Sequence, residues 1–303
     1  MIGEILTSPS YAFLRMAFLL SALASISFGL IGSFVVVRRI GYLAGAISHC
    51  AFGGIGIGLW LKQLIAAGFG LYGAQWAVRF LPEESVMTTV ANGLDPMWVA
   101  VLVAVGAALF IGWVCRKCGE REDSVIGIIW SLGMAVGLLF LDKTEGYTSI
   151  SGYLFGDILL ISIQDIITVA ILGAVVLTLT LIYFEELKAI CFDEEFAKLR
   201  NLPTERYFQL LLVLTAVTVV LMLRVVGMVL VIALLTVPAA TASRLTKRLG
   251  PMIALAIFFC FTGTWTGLYL SVLWNFSAGP MIIVVISILY AAVVLFQTGK
   301  SRE

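Results

Sequence analysis

Apolar runs long enough to cross a bilayer recur along this chain at about 11–37, 43–61, 97–114, 125–141, 164–184, 207–223, 225–243, 251–273 and 280–297. A hydrocarbon core about 30 Å thick takes roughly 20 helical residues to span. No backbone crosses lipid without internal hydrogen bonds, so these runs are helices rather than loops. The sequence therefore predicts an all-α, polytopic membrane bundle of eight or nine transmembrane helices. The count turns on 207–243, where only Leu223-Arg224 separates two short runs. Composition agrees: 61% of residues are hydrophobic and 12% charged, against roughly 45–50% and 25% in soluble domains. A net charge of +1 gives no reason to expect nucleic acid or a strongly charged substrate. The chain reads as one transmembrane domain over 1–303. Its first run, Tyr11 to Val37, is too long for a signal-peptide core and lacks a small-residue cleavage site, so it is a retained span.

Lysine and arginine orient the bundle. With nine spans, one set of connections holds Arg38, Arg39, Arg116, Lys117, Arg121 and nine further cations, whereas the other holds Arg15, Lys62, Arg79, Lys143 and Arg224. The richer set belongs in the cytoplasm. The C-terminus is then inside and the N-terminus outside.

The only histidine, His49, lies in the glycine-laden stretch Gly41 to Gly58. Arg38-Arg39 marks the nearby membrane edge, and ten residues of helix at about 1.5 Å each carry the imidazole roughly 15 Å deeper, to the middle of the core. An ionisable group at that depth is costly and typically faces a bundle interior, serving a pathway, a ligand or a proton. Its neighbours at i−4, i+4 and i+7 are Gly45, Gly53 and Gly56. Either another helix packs tightly on this bare stripe, or a cavity opens there and the glycines line a path. In a cavity, a neutral imidazole is the commonest protein ligand for borderline metals. Cys50 points about 100° away, which argues against a shared ion. Gly54 and Gly58 match the small-xxx-small spacing of helix packing. No Gly-Lys-Ser/Thr follows, so these glycines form no nucleotide loop.

Two connections are long. The outer one, 62–96, carries Phe69, Tyr72, Trp76 and Phe80 at helical spacing, which fits either an interfacial helix or a tilted extension of the second span. The inner one, 185–206, contains a short helix with Asp193 as N-cap, Glu194 and Glu195 in its first turn, and Lys198 and Arg200 near its end. Asn201 stops it in a left-handed conformation and Pro203 prevents continuation. On local physics it is equally a docking element or a solvated connector.

Other features carry less. Cys115-Arg-Lys-Cys118 has no second pair to complete a zinc site. Asp157, in Gly152-Tyr-Leu-Phe-Gly-Asp157, suits an acidic cation entrance or an ordinary helix cap. Pro238 should kink its span, with small neighbours approaching the freed carbonyl. Enzymatic activity is not expected: Ser48 is adjacent to His49, and neighbouring helical residues diverge rather than meet.

In order, four blocks resemble the permease subunit of the manganese/zinc/iron ABC importers, the ABC-3 family. They are Gly32-Ser-Phe-Val-Val-Val-Arg-Arg39 followed by Ser48-His49; Gly152 to Leu159; Phe192 to Ala197 with Asn201-Leu-Pro203; and Val226 to Ala242 around Pro238. The resemblance implies a permease in the bacterial inner membrane, paired with a second copy or paralogue. A cytoplasmic ATPase dimer would hydrolyse ATP, an extracytoplasmic metal-binding protein would deliver the ion, and no cofactor would be held permanently. His49 would be a transient metal ligand, with Asp157 a second candidate. Phe192, Asp193, Glu194, Ala197, Asn201, Leu202 and Pro203 would form the ATPase coupling segment. The sequence departs from the family at Gly45, where members typically carry aspartate, and in the length of 62–96. The alternatives are a permease of the same architecture carrying a metal chelate, and a secondary transporter built on inverted repeats. The halves display no convincing repeat.

Overall fold

The computed structural model describes residues 12–66, 95–117, 121–144, 152, 156 and 162–300. Among these, the regular structure is helical: α1 Ala12–Val37, α2 Gly41–Ala66, α3 Pro96–Lys117, α4 Glu122–Asp142, α5 Ile163–Ile182, α6 Phe184–Phe192, α7 Glu194–Leu199, α8 Thr204–Val226, α9 Met228–Leu245, α10 Leu249–Trp274 and α11 Ala278–Lys300. Nine of the described helices, all but α6 and α7, are long and apolar enough to cross a membrane. The 207–243 region is thus two helices. Their boundary is Gly227 rather than Leu223-Arg224, because the chain turns there at φ 80°, a conformation that costs glycine little. The helices group into two compact units, 1–44 with 151–303 and 45–150, where the sequence reads as one domain.

In the first unit α1 is central and contacts α5, α8, α9 and α10. Phe28, Ile31 and Phe34 of α1 are fully buried. Buried residues make up 72% of the apolar window of α1 but only 17% of that of α11. Small residues set the approach of its neighbours: a Cβ on Gly29 would meet the backbone of Ile257 in α10, and one on Gly32 would strike the Leu235 carbonyl of α9, within a turn of Pro238. Buried hydroxyls bond back to their own helices, as Ser25 to Ser21 O at 2.7 Å, Ser33 to Gly29 O at 2.6 Å and Thr215 to Leu211 O at 2.8 Å. They therefore add no unmet donor in an apolar setting.

Helix ends follow the same economy. After α1, Arg39 adopts φ 64°, and the amides of Arg39 and Ile40 return to Val36 O and Val35 O. The amides of Asn201 and Leu202 close α7 in the same way on Lys198 O and Ala197 O, with Asn201 at φ 57°. Asn201 therefore ends its helix as the sequence predicts. At the start of α5, Ser162 Oγ accepts from Asp165 N at 3.2 Å while Asp165 Oδ2 accepts from Ser162 N at 3.0 Å.

The second unit holds most of α2 with α3 and α4. Two glycine faces of α2 serve the two neighbours. Gly54 and Gly58 meet α3 at Ala100 and Pro96, and Gly53 and Gly56 meet the carbonyls of Gly133 and Gly137 in α4. A matched pair of substitutions tests this arrangement. In Gly53→Ala the new Cβ would lie 2.8 Å from Gly133 O, whereas at Gly106 it would meet nothing within 4 Å. G53A should lower the thermal midpoint of the purified protein, by about 1–3 kcal/mol of stability. G106A should match or exceed wild type, gaining up to about 1 kcal/mol of helix propensity.

Candidate functional site

His49 lies two turns into α2, half-buried, and its ring stacks on Trp130 of α4 with centroids 4.8 Å apart and planes 30° from parallel. Such aromatic pairs are worth about 0.5–1.5 kcal/mol beyond the area they bury. The His49 Nδ1 atom is buried and has no hydrogen-bond partner among the described residues. Gly45, one turn earlier, is the reason the indole fits: a Cβ at position 45 would land on the six-membered ring of Trp130. Further along, a Cβ on Gly133 would come within 2.7 Å of the His49 carbonyl carbon, so α2 and α4 run nearly backbone to backbone here.

These contacts bear on the two readings of the Gly45, Gly53 and Gly56 stripe, as a packing face or as the lining of a path. All three are buried against α4. Of the two readings of the stripe, close helix approach is the one observed at the glycines. His49 is left on this wall, held by ring stacking. Cys50 does not join it. Its thiol is buried and reaches Ile129 O at 3.6 Å. Among the described residues, no cluster of three or more His, Cys, Asp or Glu side chains could hold a metal ion. Asp157 and Cys118 lie outside the described residues, as does most of the 62–96 connection.

A second constellation lies on the α6–α7 segment. Asp193 caps α7, its Oδ1 accepting from Phe196 N at 2.9 Å, as the sequence predicts. Ala197 is fully buried and faces inward, while Phe192, Phe196 and Leu199 are exposed. Leu202 is half-buried and Pro203 is the N-cap of α8. Glu194 receives two cations, Arg38 Nη2 at 2.6 Å and Lys198 Nζ at 3.1 Å. The Arg38 guanidinium also lies over the Phe208 ring of α8 at 5.3 Å. One residue beyond α1 thus ties α7 and α8 to the end of the central helix. Beneath it, the Phe34 and Phe184 rings meet edge-on at 5.9 Å. Burial pushes the Cys191 thiol up to about 12, with Arg38 pulling in the opposite direction, so Cys191 stays protonated at physiological pH.

The sequence missed Trp130 and the Arg38–Glu194 pair. A tryptophan at mid-span, away from the interfacial belts where this residue concentrates, is the signal that could have exposed the first. The second joins residues 156 apart, which no local pattern reports.

The sequence pattern of the ABC 3 transport family matches residues 10–85 and 84–297. A probable metal transport system membrane protein of Chlamydia trachomatis is 32% identical, with 92% of this chain and 87% of that protein covered. The manganese transport system membrane protein MntC of Listeria monocytogenes is 30% identical over 97% of this chain and 96% of its own length. Among solved structures, PsaBC from Streptococcus pneumoniae in complex with Fab superposes with a TM-score of 0.76 at 28% identity, covering 97% of this chain and 95% of that one.

The clamp on α7 is open to direct test. Arg38→Ala should remove about 2 kcal/mol of charge-assisted bonding and cation–π contact. Amide exchange across 193–202 should then accelerate while exchange within α10 stays as in wild type.

Proposed function

The chain belongs to the ABC 3 transport family, and from that membership we propose the transport it performs. It is the membrane-spanning permease of an ATP-driven importer of divalent transition metal, manganese, zinc or ferrous iron. The observation that carries this reading is the family match from residue 10 to 297, on a chain whose described residues hold nine helices able to span a membrane. The protein works in the bacterial inner membrane, with its C-terminus cytoplasmic and its N-terminus outside. Two permeases, identical or paralogous, form the path, and an extracytoplasmic protein delivers the metal. ATP is hydrolysed on a separate pair of cytoplasmic ATPases, so the permease itself has no catalytic role.

Within this scheme His49 meets the ion in transit. Mid-membrane depth supports that role, and so does its chemistry. A single neutral imidazole binds a divalent ion weakly enough to release it, as conduction requires. Helix α7 is the coupling element. Its support is physical: a capped six-residue helix, pinned by Arg38 through Glu194, presents Phe192, Phe196 and Leu199 outward. Exposed apolar side chains on a fixed polar frame fit a protein partner better than water. Closure of the ATPases would push on α7, and the Arg38 and Phe208 contacts would pass that displacement to α1 and α8.

The test is reconstitution with the ATPase and the binding protein in proteoliposomes. His49→Ala should lower metal uptake by roughly tenfold or more, with the complex still assembled. Phe196→Asp should instead weaken ATPase association, read by co-purification, and abolish metal-stimulated ATP hydrolysis. Uptake unchanged in H49A would remove His49 from the path, and full ATPase binding by F196D would remove α7 from the docking surface.

A further inference from the structure

A cleft of about 420 Å³ lies where α6 meets the turn between α9 and α10. Its α6 wall is Phe184, Lys188 and Phe192, which recur every four residues and so share one face of the helix. Lys247, Arg248 and Gly250 form the opposite wall. The Phe184 ring meets Phe34 edge-on at 5.9 Å, which anchors that side of the cleft to α1. Charge inside is one-sided. Lys188 Nζ lies 3.0 Å from Glu185 Oε2, but Lys247 and Arg248 are exposed and their side chains meet no carboxylate among the described residues. Both walls stand at the ends of helices able to cross a membrane. α5 ends at Ile182, two residues before Phe184, while α9 ends at Leu245 and α10 begins at Leu249. The cleft thus opens at the level of the headgroup layer, roughly 5–8 Å thick on each side of a bilayer.

We propose that this cleft binds the phosphate headgroup of an anionic phospholipid, drawn from the leaflet at that end of the bundle. With the orientation proposed above that leaflet is the inner one, but the binding itself rests on the spans alone. Basic pockets between membrane helices take anionic headgroups, and each Lys or Arg near the surface adds to the attraction. The long stems of Lys188, Lys247 and Arg248 can lie along apolar surface while their charges reach the headgroup layer. What favours a lipid over a soluble anion is the apolar continuation of the cleft. Leu181, three residues before Phe184, is exposed on α5, and Ala254 and Phe258, one and two turns beyond Gly250, are exposed on α10. Both strips lead from the cations into the membrane-crossing helices, where acyl chains lie. A free phosphate would use the cations and leave the phenyl rings and these strips unengaged. Phe192 also belongs to the exposed apolar set of the α6–α7 segment, so a lipid held here flanks that element.

The purified full-length permease tests this, titrated with phosphatidylglycerol, phosphatidylcholine and inorganic phosphate and read by native mass spectrometry and by thermal midpoint. Wild type should retain phosphatidylglycerol in preference to phosphatidylcholine and gain thermal stability from it. Lys247→Gln with Arg248→Gln should weaken phosphatidylglycerol binding roughly thirtyfold, about fivefold per cation. Arg206→Gln with Arg244→Gln removes two exposed cations from the same end of the bundle but outside the cleft, and should leave binding within about twofold of wild type. If the first double variant melts early without lipid, Lys188→Gln alone takes its place, with a loss of about fivefold. Equal losses in the two double variants would reduce the effect to general surface charge and overturn the proposal. Stabilisation by inorganic phosphate that matches phosphatidylglycerol would put a free anion in the cleft instead. Unchanged lipid binding in K247Q/R248Q, with loss of the ATPase on co-purification, would make the cleft a protein contact. These binding readouts do not use transport, so their failure leaves the importer reading standing, and a complex that moves no metal leaves the lipid site standing.

Discussion

The close approach of α2 to α4 is the constraint on which the geometry around His49 depends. Helices in lipid gain nothing from hiding apolar surface from one another, so they associate where small residues let backbones touch. Here Gly53 and Gly56 meet Gly133 and Gly137, and the same register brings Gly45 beneath Trp130 and His49 beside it. A single bulky residue on either helix would separate them and dissolve the stack. The glycines that look like an open wall in the sequence are thus what fixes the imidazole in place. Their function is indirect: they set a distance between helices, and that distance sets a ring geometry.

The junction of α1, α7 and α8 is held by charge instead. Arg38 sits at the end of the central helix α1, where a left-handed Arg39 turns the chain. It contacts Glu194 in α7 and the Phe208 ring in α8. With both side chains about one-fifth exposed, the pair is only partly desolvated, so its strength and its orientation both matter. A short helix alone would be marginal. Capped by Asp193, closed by Asn201 and clamped by Arg38, it becomes a rigid handle on the first unit.

Much of this was legible in the sequence, for reasons that divide cleanly. Spans follow from local composition, and each predicted run has its helix. The Asp193 cap and the Asn201 stop are also local, requiring only residues within one turn. The break between α8 and α9 was misplaced because Leu223-Arg224 is the polar interruption, while the geometric interruption is Gly227, four residues from the leucine. The state of the glycine stripe could not be read, since bare faces suit a neighbour and a cavity equally. Trp130 and Glu194 were invisible as partners because each acts on a residue far away in sequence. Long-range pairs are fixed by helix register, which one chain's periodicity does not report.

The central claim is that one imidazole, oriented by an indole, meets the metal through Nε2. Because His49 is the only histidine in the chain, ¹⁵N-histidine labelling of the permease, assembled with unlabelled partners, gives one pair of ring-nitrogen signals. Titration with Zn²⁺ should shift the Nε2 resonance strongly and leave Nδ1 close to its metal-free position. Ring-nitrogen signals that stay unchanged through saturation of Zn²⁺-stimulated ATP hydrolysis would contradict the account.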